Sequence, residues 1–179
     1  MNAVFWRKDK YTAVDKDTFR LSETPDTQSK YDGAGYNRIC TWVLLRETET
    51  GKLLLHMNTH LDNASSEAAN FGARLIMQRM QALSEKYPQA QIVLTGDFNQ
   101  NRGMAAYNAV AAELSDTLSA FPGRADGTYQ NRGETDRSEP IDFIFVFDDF
   151  NTLNYEILDD IPEGYVSDHY GVYAEFSLE

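Results

Sequence analysis

Across residues 39–96 the hydrophobic period changes twice, and this limits the fold more than any other feature of the chain. Residues 39–46, ICTWVLLR, form a β-rich run, the turn ETETG follows, and residues 52–59 form a second run, which predicts a hairpin. After His60 the apolar residues Ala68, Phe71, Leu75, Ile76, Met80 and Leu83 take helical spacing. Ser65 or Ser66 caps that helix with Glu67 in its first turn, and Tyr87-Pro88 ends it. Residues 91–96, QIVLTG, return to a buried strand. A hairpin feeding a strand–helix–strand unit requires a layered domain with helices packed on a sheet.

The flanking sequence fits that layout. Residues 2–7, NAVFWR, alternate like a strand, and residues 18–22 make a weaker one before the long loop SETPDTQSKYDGAGYN. A second helix is expected over residues 103–113, with Met104, Tyr107, Val110 and Ala111 on its apolar face. The stretch FPGRADGTYQNRGETDRSEP is too long for a plain connection and reads as a mixed-charge solvated loop with substrate contacts. Strands follow at residues 141–147, 153–158 and 170–176. Trp6, Trp42, Phe143, Phe145 and Phe147 alternate within strands, which assigns them to the core. One α/β (α+β) domain over residues 1–179 is the expectation, rather than a purely doubly wound sheet.

A net charge of −12 argues against a general electrostatic grip on nucleic acid, because that grip comes from Lys and Arg neutralising phosphates. A phosphate can still be bound locally by a metal or one well-placed arginine. The lone Cys40 excludes an internal disulfide and any cysteine zinc site, and is expected in the core. No segment is apolar and long enough for a transmembrane helix, so the expectation is a soluble protein, cytoplasmic by default, with export left open. The acidic pairs Asp148-Asp149 and Asp159-Asp160 mark turns, without the spacing of a calcium loop.

Chemistry-bearing side chains gather at strand ends: Asn58 and His60 in NTHLD, Asp97 and Asn99 in GDFN, Asp142 in IDFIFV, Asp168 and His169 in SDHYG. Each alone has an ordinary explanation as a hydrogen-bonded histidine, a turn former or a cap. Together they supply what phosphoester hydrolysis needs. Carboxylates can hold Mg²⁺ or Mn²⁺ through oxygen ligands. An imidazole paired with a carboxylate can take a proton near neutral pH, and a neutral carboxamide can donate to a phosphoryl oxygen without repelling it.

Those four motifs, in that order, resemble the endonuclease/exonuclease/phosphatase superfamily of DNase I-like nucleases, abasic endonucleases, inositol polyphosphate phosphatases and sphingomyelinases. PDTQSKYDGAGYNRICTWVLL, above all Arg38-Ile39-Cys40-Thr41-Trp42, is similar to a bacterial branch of metal-dependent hydrolases of unknown substrate. The resemblance implies a DNase I-like four-layer sandwich, two packed β-sheets flanked by helices. It also implies roles. Asp168 matches the metal-binding aspartate and His169 the base, or the group that orients the attacking water. Asp142 matches the acid that fixes the tautomer of His169, and His60 the histidine facing the scissile phosphate. Asp97 positions the attacking water or binds metal, and Asn99 donates a hydrogen bond to a phosphoryl oxygen or serves as an auxiliary metal ligand. Arg38 and Asn58 match substrate-binding positions.

The family pattern also places a strand ending in Asn, and another ending in the Glu that is usually the main metal ligand, ahead of the first strand read here. Neither is present, which reads as loss of the N-terminal strands. Glu23 and Glu67 are the nearest acids, but a loop position and a helix first turn explain them. Weak metal affinity is expected, together with an exposed sheet edge that favours pairing between chains or strand exchange. Three functions stay open: a metal-dependent hydrolase of a small phosphorylated substrate, a catalytically impaired relic that binds or oligomerises, and a nuclease. The nuclease would draw on Arg38, Arg102, Arg124, Arg132 and Arg137, with Phe121 and Tyr129 too few to stack bases.

Overall fold

The computed structural model of the chain describes residues 2–121, 127–135, 139–147, 150–160 and 164–178. Strands β1 (Tyr11–Arg20), β2 (Ile39–Glu47), β3 (Leu53–His60), β4 (Ala90–Asp97), β5 (Ser115–Asp116) and β6 (Asp142–Val146) form a six-stranded sheet in the order β1-β2-β3-β4-β6-β5. Strands β7 (Phe150–Leu158) and β8 (Gly171–Leu178) form a second, two-stranded sheet. Helices α1 (Ser66–Lys86) and α2 (Ala105–Ala111) cover one face of the large sheet. The small sheet packs on the other face, where Phe150 and Phe176 meet Val93, Val146, Leu54 and Ile144. The result is an α+β sandwich of two packed sheets, as expected, with both α-helices among the described residues on the outer face of the large sheet. No helix among the described residues is long and apolar enough to cross a membrane.

Local chemistry explains most of these elements. Ser65 accepts the Ala68 N–H at 3.1 Å and so starts α1. The helix buries Ala68, Ala69, Gly72, Ala73, Ile76, Met77 and Met80, and its small residues let it lie close to the sheet. Met104 gives α2 no side-chain cap, but the buried Gln100 carboxamide accepts the Ala106 N–H at 2.9 Å instead. Cys40, Trp42, Phe143 and Phe145 are core residues as expected, and Phe98 makes an edge-on contact with Phe143. Phe147 is instead exposed and Trp6 half-buried.

Two strand assignments change. The first strand is residues 11–20, of which the expected run at 18–22 is only the end. Apart from Val14 its exposed residues are polar, and it carries an irregularity between Ala13 and Asp15, as edge strands often do, which weakens its alternation in the sequence. Residues 2–7 do alternate in exposure, but they pair with no strand among the described residues. Side chains hold them instead: Asn58 donates to Ala3 O at 3.0 Å and Asn2 donates to Ile39 O at 2.7 Å.

The pairing of β3 with β4 is parallel, and the register sets His60 opposite Asp97. Gly96 makes this approach possible. A Cβ there would lie 2.9 Å from the Thr59 methyl and closer still to its carbonyl oxygen. Gly96→Ala is therefore expected to destabilise the fold by about 1–3 kcal/mol, read as a lower urea midpoint. An unchanged midpoint would show that the two strands are free to part.

Candidate active site

Three adjacent strands end in a row of polar side chains. β3 finishes at His60, its parallel neighbour β4 finishes at Asp97, and β6, antiparallel to β4, begins with Asp142 opposite Asp97. Neighbouring strands lie roughly 5 Å apart, so the three side chains stand within reach of one another. His60 Nε2 lies 3.2 Å from Asp97 Oδ2. His169, on the approach to β8, closes the row from the second sheet. Its Nδ1 is 2.7 Å from Asp142 Oδ2 and its Nε2 is 3.7 Å from Asp97 Oδ2. That short contact assigns the Nδ1–H as donor to the carboxylate and leaves Nε2 as an acceptor facing the cavity.

The cavity is about 570 Å³ and is lined by His60, Asn63, Asp97, Asn99, Tyr129, Ile141, Asp142, Ser167, Asp168 and His169. Asp97 is largely buried, and burial together with the charge of Asp142 raises its pKa to about 6. Burial lowers the pKa of His60 to about 4, helped by the positive charge of Arg38. His60 is therefore neutral near pH 7 and acts there as a hydrogen-bonding group. His169 moves the other way: its bond to Asp142, against the effect of burial, raises its pKa.

Asn99 sits at a left-handed backbone position, φ 51°, where its N–H bonds to Asp97 Oδ1 at 2.8 Å. Its carboxamide donates one N–H to Leu61 O at 3.0 Å, which leaves the second N–H and the oxygen for the cavity. The GDFN turn thus aims both an acid and an amide into one space. Phe98 between them is fully buried and locks the turn through its N–H bond to Ile141 O at 2.7 Å.

Three expected site residues stand differently. Asp97, Asp142 and His169 offer ligand atoms within 4.8 Å of one another, whereas Asp168 is exposed at the cavity mouth and outside that group. The Asp168 carbonyl accepts N–H bonds from both Gln130 and Asn131 at 3.0 Å, which fixes its backbone. Asn58 is not part of the cavity lining: its carboxamide bonds to Ala3 O and accepts the Thr95 hydroxyl at 3.1 Å. Arg38 reaches the cavity only through Asn63, to whose Oδ1 it donates at 3.2 Å, and its guanidinium stacks on Tyr36.

Asp62, Asn63, Thr128, Tyr129 and Ser167 escaped the sequence reading. Asp62 is 3% exposed, and its carboxylate accepts backbone N–H bonds from Gly35, Tyr36, Ala64 and Ser65. It thereby ties the loop carrying Tyr36 and Arg38 to the start of α1. Its place directly after His60 and Leu61 was visible, but its four donors come partly from a loop distant in sequence. Of the arginines proposed for a nucleic-acid groove, Arg38, Arg102 and Arg132 do not line the cavity. Arg102 is held by Asp116 at 2.9 Å through Nε, Arg132 lies in the exposed turn after Gln130, and Arg124 and Arg137 fall outside the described residues, as do Asp148 and Asp149.

Residues 2–169 match the Endonuclease/Exonuclease/phosphatase family. The chain belongs to that family. A mannosyl-6-phosphatase of Bacteroides thetaiotaomicron is 31% identical and superposes with a TM-score of 0.87, over 97% of this chain and 69% of that one. A family protein from Bacteroides vulgatus is 32% identical, with a TM-score of 0.86 over the same shares. The Ccr4 exoribonuclease subunit of the CCR4-Not complex from Aspergillus niger is 24% identical over 99% of this chain, which spans only 37% of that protein's length. The catalytic domain of human Nocturnin, 17% identical over 95% of this chain and 61% of that one with a TM-score of 0.72, shares the fold.

Asp62 gives this family member a testable acid sensitivity. Burial works against its charge, but the four N–H donors outweigh it and hold its pKa below the usual carboxylate value. A pKa lowered on folding contributes stability that is complete above the unfolded value of about 3.9 and is lost as pH falls through the native value. Asp62→Ala is expected to cost about 2–3 kcal/mol at pH 7, with the gap from wild type narrowing below about pH 4. A gap that does not vary between pH 7 and pH 3 would contradict the assignment.

Proposed function

We propose that the chain carries a divalent-metal-dependent phosphoester hydrolase that acts on a small phosphorylated substrate by in-line attack of water. The observation that carries this reading is the row His60–Asp97–Asp142 closed by His169. Asp97 and Asp142 stand side by side at the end of one sheet, and their mutual repulsion is what a divalent cation relieves. The carboxylate oxygens of Asp97 and Asp142 suit Mg²⁺ or Mn²⁺. Asp97 and the second oxygen of Asp142 would hold the ion, with Asn99 and Asp168 at the edge of the cavity. Once bound, such an ion neutralises phosphoryl oxygens and acidifies coordinated water.

The protein's own groups then divide the remaining work. His169 accepts the proton of the attacking water at Nε2, while Asp142 stabilises the imidazolium through Nδ1. His60 is neutral at the working pH, and its single N–H, which faces Asp97 in the structure, would turn to the phosphoryl group or the departing oxygen once Asp97 holds the ion. The free N–H of Asn99 adds a second donor. Asn63 lines the cavity and accepts a hydrogen bond from Arg38, whose positive charge stands behind it.

A sugar phosphate is the substrate class favoured here. No Lys or Arg lines the cavity among the described residues, and the chain as a whole is acidic, so a polyanion finds little to hold it. The similarity to a mannosyl-6-phosphatase supports the same choice. Similarity to Ccr4 exoribonucleases favours a nuclease as the second reading. The two separate by comparing mannose 6-phosphate with an oligoribonucleotide under Mn²⁺, and by the salt dependence of any oligonucleotide binding.

Hydrolysis of the sugar phosphate is expected to vanish with chelator and return with Mn²⁺. Asp97→Ala and His169→Ala should each lower kcat/KM by about 100-fold or more. Equal rates in wild type and both variants would identify a catalytically silent relic. Asp97, with a pKa near 6, and His169, with a raised pKa, must both be deprotonated to act, so kcat/KM should fall as pH drops from 7 to 5. A rate that rises over that range would refute these roles.

A further inference from the structure

The Asp142–His169 pair raises a structural problem. Asp142 opens β6 in the large sheet and His169 precedes β8 in the small one, and no ladder joins those sheets among the described residues. Some other element must hold the two side chains 2.7 Å apart. Residues 128–131 touch both sides. The Thr128 hydroxyl accepts the N–H groups of Ile141 at 3.1 Å and of Asp142 itself at 3.2 Å. The Thr128 carbonyl accepts the N–H of Tyr170 at 2.7 Å, next to His169. Tyr129 forms an isolated antiparallel bridge with His169 and sets its ring edge-on to the imidazole at 5.1 Å. Gln130 completes the grip, its N–H bonding to Asp168 O at 3.0 Å and its carboxamide to Ser167 O at 2.8 Å. Thr128 is 0% exposed and Gln130 1%, within a stretch that its composition marks as solvated loop.

We propose that Thr128 is a positioning residue: its hydroxyl fixes the start of β6 and its carbonyl fixes the strand after His169, and together they set the Asp142–His169 hydrogen bond. A side-chain oxygen facing two consecutive N–H groups is needed on one side, while the main chain suffices on the other. Valine keeps the shape of threonine and removes the oxygen. Serine keeps the oxygen and removes a methyl. A residue that only filled space would rank the two replacements the opposite way.

The proposal rests on the pair assigned to proton transfer above, but it can be read without any substrate. An imidazole N–H held by a short bond to a carboxylate gives a far-downfield proton resonance, assigned to His169 by its loss in His169→Gln. The resonance should persist in Thr128→Ser and disappear or broaden in Thr128→Val, with the melting temperature of each variant recorded alongside. With mannose 6-phosphate and Mn²⁺, Thr128→Val should lower kcat about tenfold or more at little change in KM, and Thr128→Ser should stay within about threefold of wild type. A Thr128→Val protein that keeps the resonance and kcat while melting earlier would make Thr128 merely structural and overturn the proposal. So would a folded Thr128→Ser protein that loses both, whether or not the valine variant folds. If wild type hydrolyses nothing yet the resonance follows the oxygen, the hydrolase reading fails and the positioning role stands.

Discussion

The parallel pairing of β3 and β4 is the constraint on which the site depends. Two strands that run the same way and end at the same level deliver His60 and Asp97 side by side, and a third strand entering from the opposite direction adds Asp142. Gly96 permits the close approach at the last turn of that ladder. The sheet therefore assembles the site from backbone register, before any loop is considered. Loops then contribute what register cannot: Asn99 by a left-handed turn, Asn63 and Arg38 through Asp62, and His169 through the clasp at Thr128.

Electrostatics gives the arrangement its character. Burying two carboxylates on neighbouring strands is unfavourable, and the raised pKa of Asp97 expresses that cost. The two histidines answer the same field in opposite ways. His169 bonds directly to a carboxylate and becomes more basic, while His60, partly desolvated and under the positive charge of Arg38, becomes less so. Two imidazoles of equal intrinsic basicity are thus shifted in opposite directions within one cavity.

The sequence displayed the strands of the row and most of its chemistry, because apolar runs that stop at His60, Asp97 and Asp142 are local signals. The strand–helix–strand unit was legible for the same reason: the helical spacing from Ala68 to Leu83 and the Ser65 cap are contained in a single stretch. What stayed hidden depends on distant partners. The role of Thr128 requires Ile141, Asp142 and Tyr170, and that of Asp62 requires Gly35 and Tyr36. Asn58, grouped with His60 through NTHLD, lines an adjoining hollow with His60, Asp97 and Asp142, where its amide bonds to the carbonyl of Ala3, a partner distant in sequence. Strand β1 was foreshortened because an exposed, irregular edge strand carries too little apolar alternation to mark its start.

In the hydrolase proposed here, Asp97, Asp142, His60 and His169 converge on one divalent ion and one phosphoryl group. A crystal soaked with Mn²⁺ and inorganic phosphate tests this most directly, because manganese is located by its anomalous signal. One strong peak is expected within coordination distance of an Asp97 oxygen, with phosphate between it and the imidazoles of His60 and His169. Manganese confined to exposed acids elsewhere, with the cavity holding neither ion nor phosphate at millimolar concentration, would contradict it.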